Sequence, residues 1–236
     1  MRILASAAMS VLVLLIPTEG WAQSNRRGPL PDAINNLLDP ITWAPIRDFD
    51  VVGVKLGMSP EQARLALKAK NFTPQAVDPL QPSWAALVSS KVAERGGSNA
   101  DKTTIANFTM AKGGQGEHIE VWYAPTKDGA RVVSVKYQIP ANRMASASFL
   151  NGLVTRYGRA SFVSGNKRIY CERGKDSRQS CVGIGDVADR PALIAKADYS
   201  LHTINLVEGK AMAESRKSQL ALEVEETAPK NAAVSF

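Results

Sequence analysis

The chain contains two cysteines, Cys171 and Cys181, in the segment YCERGKDSRQSCVG. Two thiols can close a loop, ligate a metal or exchange electrons. A CxxC spacing would favour the last two, and nine intervening residues do not. The expectation is a structural disulfide that clamps a hairpin, worth roughly 2–3 kcal/mol through the entropy it removes from the unfolded chain. The two histidines offer less. His118 and Glu120 share one face of an expected strand and supply half of a zinc site, which His202 and one further ligand would have to complete. His202, however, alternates in step with Ile204 and Leu206 and belongs near a core, so no metal site is expected. Neither GxSxG nor HExxH occurs, which removes the serine-hydrolase and zinc-protease patterns. A carboxylate pair working as in glycosidases stays open as an alternative. No catalytic residue and no cofactor is assigned.

Three glycine patterns imitate nucleotide motifs. Gly96 to Thr103 places Asp101 where a P-loop needs its second glycine and follows a helix where a strand is required. Gly183 to Ala188 matches GxGxxA, but Pro191 interrupts the helix that would receive a pyrophosphate. Gly113-Gly114-Gln115-Gly116 is a turn. Nothing points to nucleic acid.

Charge is more informative. The formal net charge is +7, and much of it falls between Arg156 and Arg178. There Arg156, Arg159, Lys167, Arg168, Arg173, Lys175 and Arg178 stand against Glu172 and Asp176. A disulfide-closed basic hairpin suits an anionic surface, whether lipid or polysaccharide, or an acidic protein patch; the plainer alternative is a solvated loop. Trp122 is the other candidate. It lies on the face of His118 and Glu120, opposite Ile119, Val121 and Tyr123, and is either covered by the helix of residues 83–95 or exposed as an interface anchor.

The elements that would position these residues follow from periodicity and caps. Val51-Val52-Gly53-Val54 is an apolar run. Ser59, Pro60 and Gln62 form a capping box with proline in the first turn, which predicts a helix over residues 60–70. Trp84, Leu87, Val88 and Val92 recur at helical spacing, and Gly96-Gly97 ends a helix over 83–95. The period then becomes two. Strands are expected at 103–110, 118–124 and 131–139, the last with Val133, Val135, Tyr137 and Ile139 on one face, joined as an antiparallel meander. Phe149, Leu150, Leu153, Val154 and Tyr157 make the apolar stripe of a helix over 144–157, with Gly158 as its cap. Strands near 167–172, 180–184, 191–196 and 201–207 precede a mostly polar helix over 211–224. The fold class is α+β, helices packed on an antiparallel sheet, and the order allows two related halves, 48–140 and 141–225, within a domain 48–225.

At the beginning, Arg2, the apolar run Ile3 to Ile16, Pro17 and the small-residue site Gly20-Trp21-Ala22 have the layout of a secretory signal cleaved between Ala22 and Gln23. A stretch of 14 residues, apolar apart from two serines, is too short for a membrane span, which takes about 20, so no span is expected after cleavage. Residues 23–47 are expected to be a loose arm and 226–236 a flexible tail. The expected location is periplasmic or secreted. The composition, 44% hydrophobic and 22% charged, excludes a disordered tail protein, a collagen, a coiled coil and a many-span membrane protein.

The stretch Gly53-Val54-Lys55-Leu56-Gly57-Met58-Ser59-Pro60-Glu61-Gln62-Ala63 resembles the opening of small envelope modules of the SmpA/OmlA type, and more broadly of β-lactamase-inhibitory-protein-like folds. Leu153-Val154-Thr155-Arg156-Tyr157-Gly158 is similar to the helix end that precedes a strand in such modules. The chain also resembles uncharacterised secreted proteins of Gram-negative bacteria. The resemblance implies paired helices on an antiparallel sheet and a non-enzymatic role in protein–protein contact in the envelope. It transfers no binding residue.

Overall fold

A computed structural model of the chain describes residues 42–75, 80–98, 100–173, 181–183 and 187–228. They belong to one compact unit, Pro40–Phe236, and the unit Met1–Asp39 lies outside the described residues. The expected signal segment, most of the arm and residues 229–236 of the tail are therefore not described.

The apolar run at Val51 is a hairpin rather than one strand. Strands β1 (Asp50–Val51) and β2 (Val54–Lys55) are joined by Val52 and Gly53, both with positive φ, 55° and 84°. A two-residue turn of this hand matches the twist of the strands it joins. The Asp50 carboxylate holds it by accepting the Gly53 N–H at 2.6 Å. Helix α1 (Pro60–Ala69) follows, with the predicted capping box formed in both directions between Ser59 and Gln62. Helix α2 (Trp84–Ala93) is capped by Ser83, whose Oγ accepts the Ala86 N–H. Helix α3 (Ser146–Tyr157) ends at Gly158, φ 78°.

Among the described residues, eight strands form one antiparallel sheet. In chain order these are β3 (Thr73–Pro74), β6 (Phe108–Lys112), β7 (His118–Thr126), β8 (Gly129–Pro140), β9 (Phe162–Ser164), β10 (Lys167–Cys171), β11 (Ala192–Ala197) and β12 (Leu201–Val207). Their order across the sheet is β3-β6-β7-β8-β12-β11-β10-β9. The chain thus builds two four-stranded sets, each preceded by a helix, α1 for the first and α3 for the second. The two sets join where their last strands, β8 and β12, pair from Leu201↔Pro140 to Val207↔Ser134. The two halves share one sheet. Between β3 and β6 the first half carries an excursion, β4 (Leu80–Pro82), α2 and β5 (Thr104–Ala106), with β4 and β5 paired to each other. The single strand expected at 103–110 is divided between β5 and β6.

Alternation decides which side is buried. Ile119, Val121 and Tyr123 of β7, Val132, Val135 and Ile139 of β8, Ile204 and Leu206 of β12, and Leu193, Ala195 and Ala197 of β11 all face the helices. Ala63 and Leu67 of α1 and Phe149 and Leu153 of α3 close that core. Val154, expected in the α3 stripe, is 49% exposed, because the sheet meets only the Phe149–Leu153 edge of the helix. The expected face of β8 also needs correction. A bulge shifts the register between Trp122↔Ser134 and Tyr123↔Val132, so Val133 drops out of the alternation and Val132 takes the buried place.

Residues 42–47 of the expected arm are packed. Ile46 is fully buried, the Ala44 N–H bonds the Cys171 carbonyl at 2.9 Å, and Ser161 Oγ donates to the Thr42 carbonyl at 2.5 Å. Phe49, Tyr157 and Tyr170 meet ring to ring beneath this strap, with centroids 4.9–6.0 Å apart. Helix α4 (Lys210–Thr227) runs past the expected end at Val224 and packs on α2 through Val224, Leu220, Trp84, Val88 and Val92. Glu223 ties the pair, accepting from Trp84 Nε1 at 2.8 Å and facing Lys127 Nζ at 2.9 Å. Among the described residues, no helix is long and apolar enough to cross a membrane.

Candidate functional site

The side of the sheet away from α1 and α3 holds the candidate site. Its residues are set by the same alternation that buries the core: Phe108, Met110 and Lys112 of β6 face out, as do His118, Glu120 and Trp122 of β7, Ser134, Lys136 and Gln138 of β8, and Thr203 and Asn205 of β12. Cross-strand pairing lines them up in rows. Phe108↔Trp122↔Ser134 is one, Met110↔Glu120↔Lys136↔Asn205 the next, and Lys112↔His118↔Gln138↔Thr203↔Lys196 the third. All of these side chains keep contact with solvent, while their neighbours along each strand are mostly buried.

Trp122 is 39% exposed and lies against the Phe108 ring at 4.7 Å. The expectation that the helix of residues 83–95 covers it is not met, because that helix spends its apolar face on α4. Beside the aromatic pair, Glu120 faces Lys136 at 3.6 Å. Lys112, Lys136, Lys167 and Lys196 lie on this side; Glu120 faces Lys136 and Asp198 pairs with Lys196 at 2.9 Å, which leaves a smaller positive excess beside the apolar spot. On the core side Tyr123, its hydroxyl 2.9 Å from Thr109 Oγ1, fastens β6 to β7. Burial pushes that phenol above its ordinary pKa and keeps it a neutral donor.

Towards β10 and β11 this side is covered. Cys171 and Cys181 form the expected disulfide. Both are fully buried in a small second core with Ile169, Ala188, Ala192 and Ile194, flanked by Trp43, Phe162 and Val207. The hairpin expectation is corrected: β10 pairs with β9 and β11, and the cystine instead closes an excursion between β10 and β11. In place of the strand expected at 180–184, the described residues show a single bridge, Val182↔Ala188. Residues 174–180 and 184–186, with Lys175, Arg178 and part of the GxGxxA match, lie outside the described residues.

The described residues of the basic segment do not share one side of the sheet. Arg156 is on α3, its guanidinium 2.6 Å from the Asp50 carboxylate and over the Tyr157 ring. Lys167 and Arg168 are adjacent on a strand and so face opposite sides, Lys167 with Lys196 and Arg168 with Ala195. Arg159 and Arg173 are exposed at the ends of α3 and β10. Neighbours in sequence are thus dispersed by the pleat.

The zinc-site residues are likewise separated. His118 pairs with Gln138 on the solvent side, whereas His202 pairs with Ile139 on the core side, where it is fully buried. There its Nε2 lies 2.7 Å from the Met144 carbonyl and its ring stacks on Phe149 at 4.7 Å. Among the described residues, no group of three His, Cys, Asp or Glu is placed to hold a metal. The described carboxyl groups with displaced pKa values, Asp101, Asp198 and Glu223, are all lowered, chiefly by hydrogen bonds from Thr103, Lys196 and Trp84 respectively. None of these three is poised as the proton donor that a carboxylate pair requires. No protein-family model, curated protein or solved structure matches the chain.

Proposed function

We propose that the chain is a non-enzymatic binding or accessory protein of the bacterial envelope, and that the outward side of β6, β7, β8 and β12 is where its partner protein docks. One observation carries this: a partly exposed tryptophan tilted against a phenylalanine lies on a sheet face whose other side chains are mostly polar or charged. Aromatic side chains fixed by a neighbour lose little entropy on binding and make effective anchors. The positive rim selects a partner with acidic groups around an apolar residue. The Gly-Met-Ser turn before α1, which resembles the opening of SmpA/OmlA-type modules, supports an envelope role, as does the buried disulfide, which suits an oxidising compartment.

The test compares wild-type protein with Trp122→Ser and Lys136→Glu in retention of partners from envelope extract, with folding checked by circular dichroism. Trp122→Ser removes an exposed ring pair worth about 0.5–1.5 kcal/mol to the fold and leaves the protein folded. A partner bound through this face is retained by the wild type and lost from both variants. Equal retention by all three refutes the assignment of the face, and turnover of an envelope substrate by the purified protein refutes the non-enzymatic role.

A further inference from the structure

Strand β8 changes partners at its bulge, and a cavity forms there. From Ser134 onward β8 pairs with β12; before it, the Glu208 N–H bonds the Val133 carbonyl at 3.1 Å. The loop before α1 then takes over, with Gly57 N–H to the Val132 carbonyl and Val132 N–H to the Met58 carbonyl, both 2.8 Å. Helix α4 crosses this junction and leaves a cavity of about 310 Å³ against it. That lies at the lower end of the range for small-molecule sites, roughly 300–1,000 Å³.

The lining combines an apolar wall with an excess of cations. Leu56, Val133 and Met212 supply apolar surface, while Arg47, Arg131 and Arg216 face a single lining carboxylate, Glu208. Glu208 is spent on Arg216 in a largely buried ion pair. Arg47 pairs through Nε with Glu172 at 3.4 Å, and its Nη2 donates to Met212 Sδ on the cavity wall at 3.5 Å. Arg131 differs from both: its Nη2 donates to the Asp128 carbonyl at 3.1 Å, and it has no carboxylate partner among the described residues. An unbalanced guanidinium beside an apolar wall is a recognition element for an anion that carries a hydrocarbon body, because the guanidinium fork matches a carboxylate.

We propose that this cavity binds a small amphipathic carboxylate, its acid group on Arg131 and its apolar body along Leu56, Val133 and Met212. The cavity lies beyond the Trp122–Ser134 row, where Arg131 pairs with Ala124, and none of its lining residues belongs to the rows of the proposed docking face, so the two readings are tested by different variants. Isothermal titration calorimetry of the oxidised full chain, with decanoate, decanol and acetate as probes, tests it. Decanoate is expected to saturate one site, with acetate and decanol each at least tenfold weaker. Arg131→Gln, a change at a partly exposed side chain, is expected to weaken decanoate at least tenfold without altering the melting temperature of the free protein. Met212→Trp, which fills the cavity, is expected to abolish binding. Equal binding of decanol and decanoate, an unchanged decanoate affinity in Arg131→Gln, or no saturable decanoate binding by the wild type each overturns the proposal.

Discussion

Replacing both Cys171 and Cys181 with alanine removes the clamp on the excursion between β10 and β11. The two residues are separated by 10 positions, and closing a loop of that size in the unfolded chain is worth about 3 kcal/mol. The native state loses something as well. Both cysteines are fully buried among Ile169, Ala188, Ala192 and Ile194, so the missing sulfur atoms leave a void that adds about 1 kcal/mol. The expected loss is therefore about 4 kcal/mol, measured as a fall in the urea midpoint with an m-value equal to or above that of the wild type, since the unfolded chain without its cross-link exposes more surface. In a unit of this size it corresponds to a fall in melting temperature on the order of 8–16 °C. Burial makes a second, kinetic demand. Dithiothreitol cannot reach either sulfur in the closed structure, so reduction of the wild type is expected to accelerate with sub-denaturing urea. A stability loss under about 1 kcal/mol, or reduction at a urea-independent rate, would refute the reasoning.

Three further outcomes are expected. Gly209 has φ +82°, and a Cβ there would meet the Arg190 backbone at 2.5 Å, so Gly209→Ala should cost more than about 2 kcal/mol in thermal unfolding. Burial pushes Tyr137 and Tyr170 up to about 12, and raises Tyr123 and Tyr157 as well. A raised tyrosine pKa means stability that is complete below the ordinary value near 10.0 and lost as pH climbs towards 12; ultraviolet titration should show most tyrosinate appearing together with alkaline unfolding. The Glu223 carboxyl is lowered from 4.5 by Trp84 and Lys127, so the α2–α4 tie is complete above that pH and is lost as pH falls through the lower folded pKa. Glu223→Gln should weaken the tie by about 1 kcal/mol, allowing for its exposure, seen as faster amide exchange in both helices and a flatter acid limb.

What could be read from the sequence was local. Ser59, Pro60 and Gln62 specify the start of α1 through contacts within four residues, and Gly158 ends α3 by its own backbone freedom. The antiparallel sheet was legible because β7, β8 and β12 alternate over seven residues or more. Strands β3 and β9 are too short to show a period, and each exists because a longer neighbour offers it an edge. The bulge at Val133 leaves no mark in composition, so the register of β8 was misread at that point. The site was partly legible: the alternation put Trp122 on the polar side, but its exposure depends on α2 packing against α4, a contact between residues more than 100 positions apart. Charge counted along the sequence does not translate into a surface on a strand, since adjacent residues such as Lys167 and Arg168 face opposite sides. Arg131, Arg216 and Glu208 become neighbours of one cavity only where β12 parts from β8.

The union of the two halves through β8 and β12 has a topological corollary. Each half ends at the centre of the sheet and begins at its rim, and α4, which follows the second half, returns to rest on α2 of the first. A cut in the connector between β8 and α3 would leave two pieces still joined by a seven-residue ladder and by a helix reaching across it. The molecule is in this sense a self-complementing pair, whose continuity depends on the interlock of its halves as much as on the peptide bond between them.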